Sequence, residues 1–325
     1  MDGGSYVYKD LEAKYDGFAA PAFTVTIDGD RLDVAKIPIS SFSVDIDAGV
    51  GAGGCRFTIE SQYDYEHSKW AGDLLSDIEV GKTLQIEVGY IKKKPVFHGF
   101  IDDYTVEYGD AAAPRITVSG IDAKGFLMNN ADIQYMNEKE MPAIVNSLLE
   151  GCVKNGVATK KTVGSLPKYK AKQIQADVSD YAYLCRLAEM LCVQFFVVNG
   201  EIIFKDVVSD SSPILKLTRG LGLLSFSKTL SLRHQIGRVT VTGNDEKAQP
   251  IEGTVTASTL GGGGSEASDK AGDVVSGAQI TVQRDFVRSP EECKQLAQAI
   301  FNLRAQDFMS GQGKCVGIPE LIPGR

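Results

Sequence analysis

Histidines, cysteines and paired acidic residues are the groups in this sequence that could do chemistry. Catalysis needs such groups to converge, alone or around a metal or cofactor. The three histidines are His67, His98 and His234. His98 lies in the apolar stretch 96–100, which favours a packed or edge histidine over a general base, and His67 follows a polar segment that favours the surface. The sequence contains no HExxH, GxSxG or P-loop pattern.

The cysteines show no spacing that is typical of metal binding or redox catalysis. No CxxC pair occurs among the six, which stand mostly among apolar neighbours at Cys55, Cys152, Cys185, Cys192, Cys293 and Cys315. This pattern predicts buried free thiols in a protein that folds in a reducing cytoplasm. Cys185 and Cys192 share one helix face, which core packing explains. A Cys–His pair that meets only in space stays an open alternative.

Two further patterns resemble ligand sites superficially. Gly261 to Gly264 could suggest a phosphate loop, but no Lys-Ser/Thr follows, and a flexible linker is the better interpretation. The acidic pairs Asp45/Asp47 and Asp102/Asp103 lack the alternating oxygen ligands of a calcium loop. The sequence therefore predicts no catalytic residue, no metal ligand and no cofactor, and a protein that is not an enzyme.

Composition limits the class of protein. A chain of 325 residues, 43% hydrophobic and 23% charged, predicts two or three globular domains. The net charge of −8 argues against a duplex nucleic acid partner. No apolar run is long enough for a membrane span, and the first residues do not resemble an export signal. The exception in charge is a set of lysines that predicts a solvated loop or, alternatively, a surface for an acidic partner: Lys154, Lys160, Lys161, Lys168, Lys170 and Lys172.

The elements that must position these groups fall into blocks. We expect an extended arm over residues 1–20. Residues 21–125 alternate apolar and polar side chains in six or more short stretches separated by turn residues, which predicts a barrel or sandwich. Residues 211–325 return to short strands, with a flexible loop over 261–277. A helix over about 290–309 begins at Ser289-Pro290-Glu291-Glu292, a capping signature.

Residues 126–210 have a different pattern and predict an α+β insert. One helix begins at Met141-Pro142, and a second runs from about Ser179 to Cys192, capped by Asp177 or Ser179. A hairpin follows, with Asn199-Gly200 supplying the positive φ angles of a type I′ turn.

A short echo links the two β blocks. Residues 116–122 (Ile-Thr-Val-Ser-Gly-Ile-Asp) share four of seven residues with 239–245 (Val-Thr-Val-Thr-Gly-Asn-Asp). Strands share Thr and Val by propensity, so the echo alone is weak, but it fits a duplicated β module.

The order of β block, helical insert and second β block resembles the late control D family, which includes phage baseplate hubs and the N-terminal part of VgrG spike proteins. Three stretches carry the resemblance: 96–104 leading to 116–122, 178–192 with its hairpin, and 313–324. The resemblance implies a mainly β fold in which two tube-like β-barrel modules flank a helix-and-hairpin domain.

It also implies a function. Hubs of this family are homotrimers whose six β modules match a hexameric tail tube or tube-initiator protein, while the other end holds a trimeric spike beside further baseplate proteins. We therefore expect a structural protein, made in the bacterial cytoplasm, in a phage tail or phage-tail-like particle. Whether that particle is a phage, a bacteriocin or an injection system stays open, and so does a spike domain beyond residue 325. Two alternatives remain: a tail-associated peptidoglycan or peptide hydrolase, and a β-rich adhesin.

Overall fold

The computed structural model describes residues 5–32, 36–60, 62–109, 113–131, 134–135, 140–166, 174–175, 178–206, 213–260 and 274–324. The α-helices are α1 Tyr8–Lys14, α2 Leu74–Asp77, α3 Ala123–Asn129, α4 Met141–Lys154, α5 Asp180–Leu191 and α6 Pro290–Gln306, with a 3₁₀ turn at Asp16–Phe18. The first strands are β1 Ala22–Ile27, β2 Asp30–Arg31, β3 Ile39–Asp45, β4 Gly54–Glu60, β5 Tyr63–Asp64, β6 Lys69–Trp70, β7 Thr83–Gly89, β8 Lys93–Glu107, β9 Arg115–Ile121 and β10 Gln134–Tyr135. The later strands are β11 Lys160–Val163, β12 Ile174–Gln175, β13 Val193–Val198, β14 Glu201–Asp206, β15 Thr218–Arg219, β16 Gly222–Leu230, β17 Arg238–Asn244, β18 Pro250–Val255, β19 Gln279–Gln283 and β20 Met309–Cys315.

The first β block forms one antiparallel seven-stranded sheet in the order β2-β1-β7-β8-β9-β4-β3. Its strands alternate between buried and exposed side chains, because successive residues of a strand point to opposite faces. Phe57, Ile86 and Val118 are fully buried on the inner face, and Trp70 and Leu74 pack against the same core.

The insert follows the sequence pattern closely. Ser179 caps α5 by accepting a hydrogen bond from the backbone N of Ala182, which selects it over Asp177. Asn199 and Gly200 have φ angles of 51° and 76°, the positive values that a type I′ turn requires. The hairpin β13–β14 therefore forms as predicted, and β11 adds to it as a parallel strand.

The second β block consists of two three-stranded sheets, β15-β16-β20 and β18-β17-β19, with α6 packed on the latter. Helix α6 begins as the sequence predicts, because the Ser289 side chain accepts from the backbone N of Glu292 and Pro290 occupies the first turn. One hydrophobic core continues from the insert, through Leu148 and Leu184, into Val239 of β17. The predicted domain boundaries at 20/21, 125/126 and 210/211 stay predictions.

The prediction of a mainly β fold with a few helices is confirmed. The sheets of the described residues are open, with no closed barrel among them, so the finer expectation of two tube-like β-barrel modules stays a prediction. The first sheet ends in the edge strands β2 and β3, and β16 is paired with β15 only at its start. The expectation of an extended arm is wrong for Tyr8–Lys14, which is helical because Leu11 and the following Tyr15 bury themselves against Tyr90 and Ile318.

The echo between the β blocks extends to burial. Strands β9 and β17 bury the same positions of the shared pattern, and Gly120 and Gly243 occupy equivalent buried positions. Their neighbours differ: β9 lies between two antiparallel strands, whereas β17 has one antiparallel and one parallel neighbour.

The loop predicted at 261–277 lies outside the described residues over 261–273. None of the helices in the described ranges has the length and apolar character needed to cross a membrane.

Candidate assembly surface

The cysteines are in environments that disfavour a nucleophile. All six are free, and burial raises the pKa of Cys55 and of Cys152 to about 12 each. A reactive cysteine needs the opposite, a lowered pKa that populates the thiolate.

The histidines contact backbone or carboxylate groups. His98 lies 2.9 Å through Nε2 from the carbonyl oxygen of Gly156, His67 lies 2.7 Å through Nδ1 from Asp64, and His234 lies 3.7 Å from Asp307. Within the described part of the chain, no group of three or more His, Cys, Asp or Glu side chains is arranged to hold a metal ion.

The lysine set does not form the single loop that was predicted: Lys154 is exposed at the end of α4, and Lys160 and Lys161 lie in strand β11. Lys160 forms an ion pair of 2.9 Å with Glu201, and Lys161 forms one of 2.9 Å with Glu150. Both therefore have partners on the insert itself. Lys168, Lys170 and Lys172 lie outside the described residues.

A buried lysine that the sequence analysis missed fastens the loop between β3 and β4. Lys124 in α3 is fully buried and donates from Nζ to the carbonyl oxygens of Gly49 (2.9 Å) and Gly51 (2.6 Å). Its ammonium also lies 5.0 Å from the centre of the Phe195 ring. Burial lowers the pKa of Lys124, and the nearby carboxylates of Asp122 and Asp47 offset part of that effect. The feature of the sequence that could have indicated this buried lysine is its place among the apolar residues of α3.

Asp122 completes this arrangement, which we call the loop clamp (Lys124, Asp122 and the 46–53 loop). Its carboxylate accepts from the backbone N of Gly53 (2.7 Å) and of Lys124 (2.8 Å), so it also caps α3. Burial raises the pKa of Asp122 to about 6, against the opposing effect of these two hydrogen bonds. Through Lys124 the clamp joins the loop of the first sheet to Phe195 of β13 in the insert.

Strands β16 and β20 form a surface with exposed apolar side chains. No residue of the two strands is buried and most are exposed, although β16 and its flanks carry large apolar side chains. These side chains are Leu221, Leu224, Phe226, Leu230 and Leu232, of which Phe226 is the most exposed at 61%. We call this surface the apolar ribbon (β16, β20 and these side chains). Exposed apolar patches of this kind mark interaction sites on soluble proteins.

The ribbon is shaped by cross-strand packing. Phe226 pairs with Gly313 in the register of β16 and β20, and its ring lies over the glycines of β20. A methyl group at Gly311 would lie only 3.2 Å from Cε2 of Phe226. The two glycines leave room for the ring to lie flat along the strand. Its outer face is left open to solvent in the single chain.

The same regions present unpaired strand edges. β16 is covered on one side by β20, but on the other only its start is paired, with Thr218–Arg219 of β15. β3 is an edge strand whose exposed Phe42 packs on Phe23 at a ring distance of 4.2 Å. Long unpaired edges are templates for pairing with another chain unless a protein covers them.

Hydrogen bonds and ion pairs attach residues 317–320 to α1, Tyr15 and the first sheet. Glu320 accepts from Lys14 and Tyr15 (2.8 Å each) and from Lys94 (3.2 Å), all through Oε1, while Tyr90 donates to the carbonyl oxygen of Gly317 at 2.9 Å. We call residues 316–324 the C-terminal strap. It closes one wall of a cavity of about 410 Å³ that is also lined by Tyr6, Lys160, Asn199 and Glu201.

Comparison with known families identifies the chain. Residues 22–325 match the family model described as the Alg8 N-terminal domain, so the chain belongs to that family. The family description names neither late control D nor a hub, so membership of the late control D family stays a prediction. The sequence matches none of the curated proteins.

Solved structures of tail proteins share the fold. The 43 kDa tail protein of prophage MuSo2 from Shewanella oneidensis is similar with a TM-score of 0.55 and 16% identity, over 90% of this chain and 81% of that protein. The tail protein from Neisseria meningitidis MC58 has a TM-score of 0.53 and 13% identity, over 86% and 75% of the two chains. The chain therefore has the fold of phage tail proteins.

Proposed function

We propose that the chain is a structural baseplate hub of a contractile tail or injection system. In this proposal it forms a homotrimer that adapts a sixfold tail tube to a threefold spike. Its partners are two further copies of itself, a hexameric tube or tube-initiator protein, a trimeric spike and other baseplate proteins. It binds no nucleic acid, does not insert into a membrane and catalyses no reaction. It is made in the bacterial cytoplasm and ends in a phage tail or phage-tail-like particle.

The observation that carries the proposal is the apolar ribbon, on a chain with the fold of tail proteins. Phe226, Leu224 and Leu230 expose 61%, 59% and 48% of their surfaces. Covering apolar surface contributes about 25 cal/mol per Å², so association that buries the ribbon is favourable. An obligate interface of this kind is expected to bury more than about 2,000 Å² in total.

A second copy of the chain is the occupant that fits best, because the sheets of both β blocks have strand edges that no described strand covers. Among them are β3 in the first β block and, in the second, the part of β16 beyond its short pairing with β15. A ring built from identical subunits needs two different surfaces per subunit, each covering its counterpart on the next. Three chains with two β blocks each would present six blocks around such a ring. The echo between β9 and β17 is what a duplication of that block would leave.

The hydrolase alternative finds no support at the residues that would carry it. Cys55 is buried beside Gly120, and His98 contacts the backbone of Gly156, so the two do not form a nucleophile–base pair.

Light scattering on the purified full-length chain tests the proposal. We expect a mass of about 105 kDa, three times the 35.0 kDa of one chain, at micromolar concentration. Negative-stain images of that species should show a threefold ring with six lobes. A monomer at this concentration, or a closed dimer, contradicts the proposal.

A further inference from the structure

Four aromatic rings cluster on the first β block. Tyr63 and Trp70 pair across the short hairpin β5–β6, and Tyr108 follows the end of β8. The Tyr63 ring lies 5.3 Å from Tyr65, 5.3 Å from Trp70 and 5.5 Å from Tyr108. We call these four residues the tyrosine cluster.

The cluster has a fixed base and an open top. Trp70 is 6% exposed and donates from Nε1 to the hydroxyl of Tyr108 at 3.0 Å, whereas Tyr65 and Tyr108 are 68% and 62% exposed. Rings held in this way lose little side-chain freedom when a partner covers them. Rigid aromatic anchors of this kind give contact area at a low entropic cost.

Of the two carboxylates that flank Tyr65, Glu66 is the one open to a basic partner. Asp64 accepts from the backbone N of Glu66 (2.9 Å) and of His67 (3.1 Å), lies 2.7 Å from Nδ1 of His67, and pairs in register with the exposed Lys69. Glu66 is exposed, while Arg115, at the start of β9, is already paired with Glu107. In the described residues, the cation–π contacts of this chain involve Tyr15, Tyr6 and Phe195 rather than the cluster, so its ring faces are not occupied by the chain's own cations.

We propose that the tyrosine cluster is a docking site for a basic segment of a partner protein, with an arginine guanidinium on the exposed Tyr65 and Tyr108 rings and Glu66 as its counter-ion. A guanidinium both stacks on an aromatic face and pairs with a carboxylate, so arginine is preferred over lysine. Tyr65 and Tyr108 each stand edge-on to Tyr63, at 86° and 77°, and a sugar as the alternative occupant is tested directly below. This inference concerns a surface other than the apolar ribbon and goes beyond the trimer.

Trp70 is the chain's single tryptophan, so its emission reports on this site alone. Octa-arginine peptide is titrated into the full-length protein, with octa-lysine, octa-glutamate and the oligosaccharide chitohexaose as parallel probes. Calorimetry measures the affinity and Trp70 emission locates the site. We expect saturable binding of octa-arginine with a change in emission, weaker binding of octa-lysine, and no binding of octa-glutamate.

Matched variants separate ring contact from general charge attraction. Tyr65→Ala should weaken octa-arginine binding about fivefold or more, whereas Tyr65→Phe, which keeps the ring, should stay within about twofold of the unmodified chain. Ile91→Ala removes an equally exposed apolar side chain (72%) of the same β block and should change nothing. The proposal is overturned if octa-arginine does not bind, if Tyr65→Ala binds it unchanged, or if chitohexaose alone binds and shifts the Trp70 emission.

Discussion

Lys124 donates a hydrogen bond of 2.6 Å from Nζ to the carbonyl oxygen of Gly51, a residue 73 positions earlier in the chain. A second bond, to Gly49, and the bond from Gly53 to Asp122 fasten the same loop. Tyr181 of α5 adds a hydrogen bond of 2.6 Å to the carbonyl oxygen of Val50. The loop between β3 and β4 is therefore held by residues of α3 and α5 together, while the edge strand β3 is positioned by its pairing with β4.

The first prediction concerns this lysine. Lys124→Met keeps the aliphatic stem but leaves two loop carbonyls and the Asp122 carboxylate without their cation. Breaking a buried charge arrangement by removing one member is strongly destabilising, so we expect the free energy of unfolding to fall by about 2–4 kcal/mol. Denaturant titration at one fixed protein concentration measures it. Lys9→Met, at an exposed position of α1, should change it by less than about 0.5 kcal/mol. Equal losses in the two variants would show that the clamp does not contribute.

The second prediction is a pH dependence from Asp122. Its pKa is about 6 in the folded chain, raised chiefly by burial, and 3.8 is the ordinary value. The folded state therefore binds this proton more tightly than the unfolded state does. The resulting stability is fully present below about pH 4 and is lost as the pH rises through about 6. A shift of about two units corresponds to about 3 kcal/mol.

Asp122→Asn isolates this contribution because an amide does not titrate. We expect the unfolding free energy of the unmodified chain, minus that of the variant, to fall by about 2–3 kcal/mol between pH 4 and pH 7. Unfolding curves at half-unit pH steps measure it. A difference that is flat, or that rises with pH, contradicts the raised pKa.

Local sequence patterns predicted the elements that depend on local physics. The Asn199-Gly200 turn, the Ser179 cap and the start of α6 each require particular residues within four positions of one another, and all three occur. The loop clamp could not be predicted in this way, since Lys124 and Gly51 are 73 positions apart and meet only after β4 and β9 have paired in the first sheet. Helix α1 was not predicted for a similar reason. A helix of seven residues is too short to be stable through helix propensity, and α1 depends on the packing of Tyr15 against Tyr90 and Ile318.

The third prediction concerns the C-terminal strap. Burial of Glu320 alone would raise its pKa, but hydrogen bonds from Lys14, Tyr15 and Lys94 together hold that pKa below its ordinary value. Its stabilisation is therefore present above the ordinary pKa of 4.5 and is lost as the pH falls through the lower folded value. Glu320→Gln removes the charge that pairs with both lysines.

Hydrogen exchange on a peptide covering 316–324 measures the strap directly. We expect Glu320→Gln to reduce its protection about tenfold or more at pH 7, with smaller changes elsewhere. Glu246→Gln, an exposed glutamate in the turn between β17 and β18, serves as the control. If the strap keeps its full protection in Glu320→Gln, the ion pairs do not hold it.

The fourth prediction tests the apolar ribbon. Phe226→Asp places a charge where the proposed trimer would exclude water, and an unpaired buried charge opposes association by several kcal/mol. We expect at least about a hundredfold weaker self-association in light scattering or sedimentation.

Ile91→Asp, on an exposed residue outside the ribbon, should leave the mass unchanged. Unaltered circular dichroism in both variants ensures that a lower mass reports assembly rather than unfolding. A Phe226→Asp chain that keeps its full mass assigns the interface to another surface.

The fifth prediction concerns the two equivalent glycines of the sequence echo, Gly120 in β9 and Gly243 in β17. A methyl group at Gly120 would lie 2.6 Å from Cδ2 of Leu84 and 2.8 Å from Sγ of Cys55, and one at Gly243 would overlap Cγ2 of Val287. Both glycines thus leave room for a neighbouring side chain at the same position of the shared motif. Forcing an extra methyl group into a packed core typically costs about 1–3 kcal/mol. We expect losses of this size in the unfolding free energy for Gly120→Ala and for Gly243→Ala.

Gly277→Ala is the control, since a Cβ there meets nothing within 4 Å. If only one of the two substitutions destabilises the chain, the glycines serve different packing needs, and the echo loses its value as a trace of duplication.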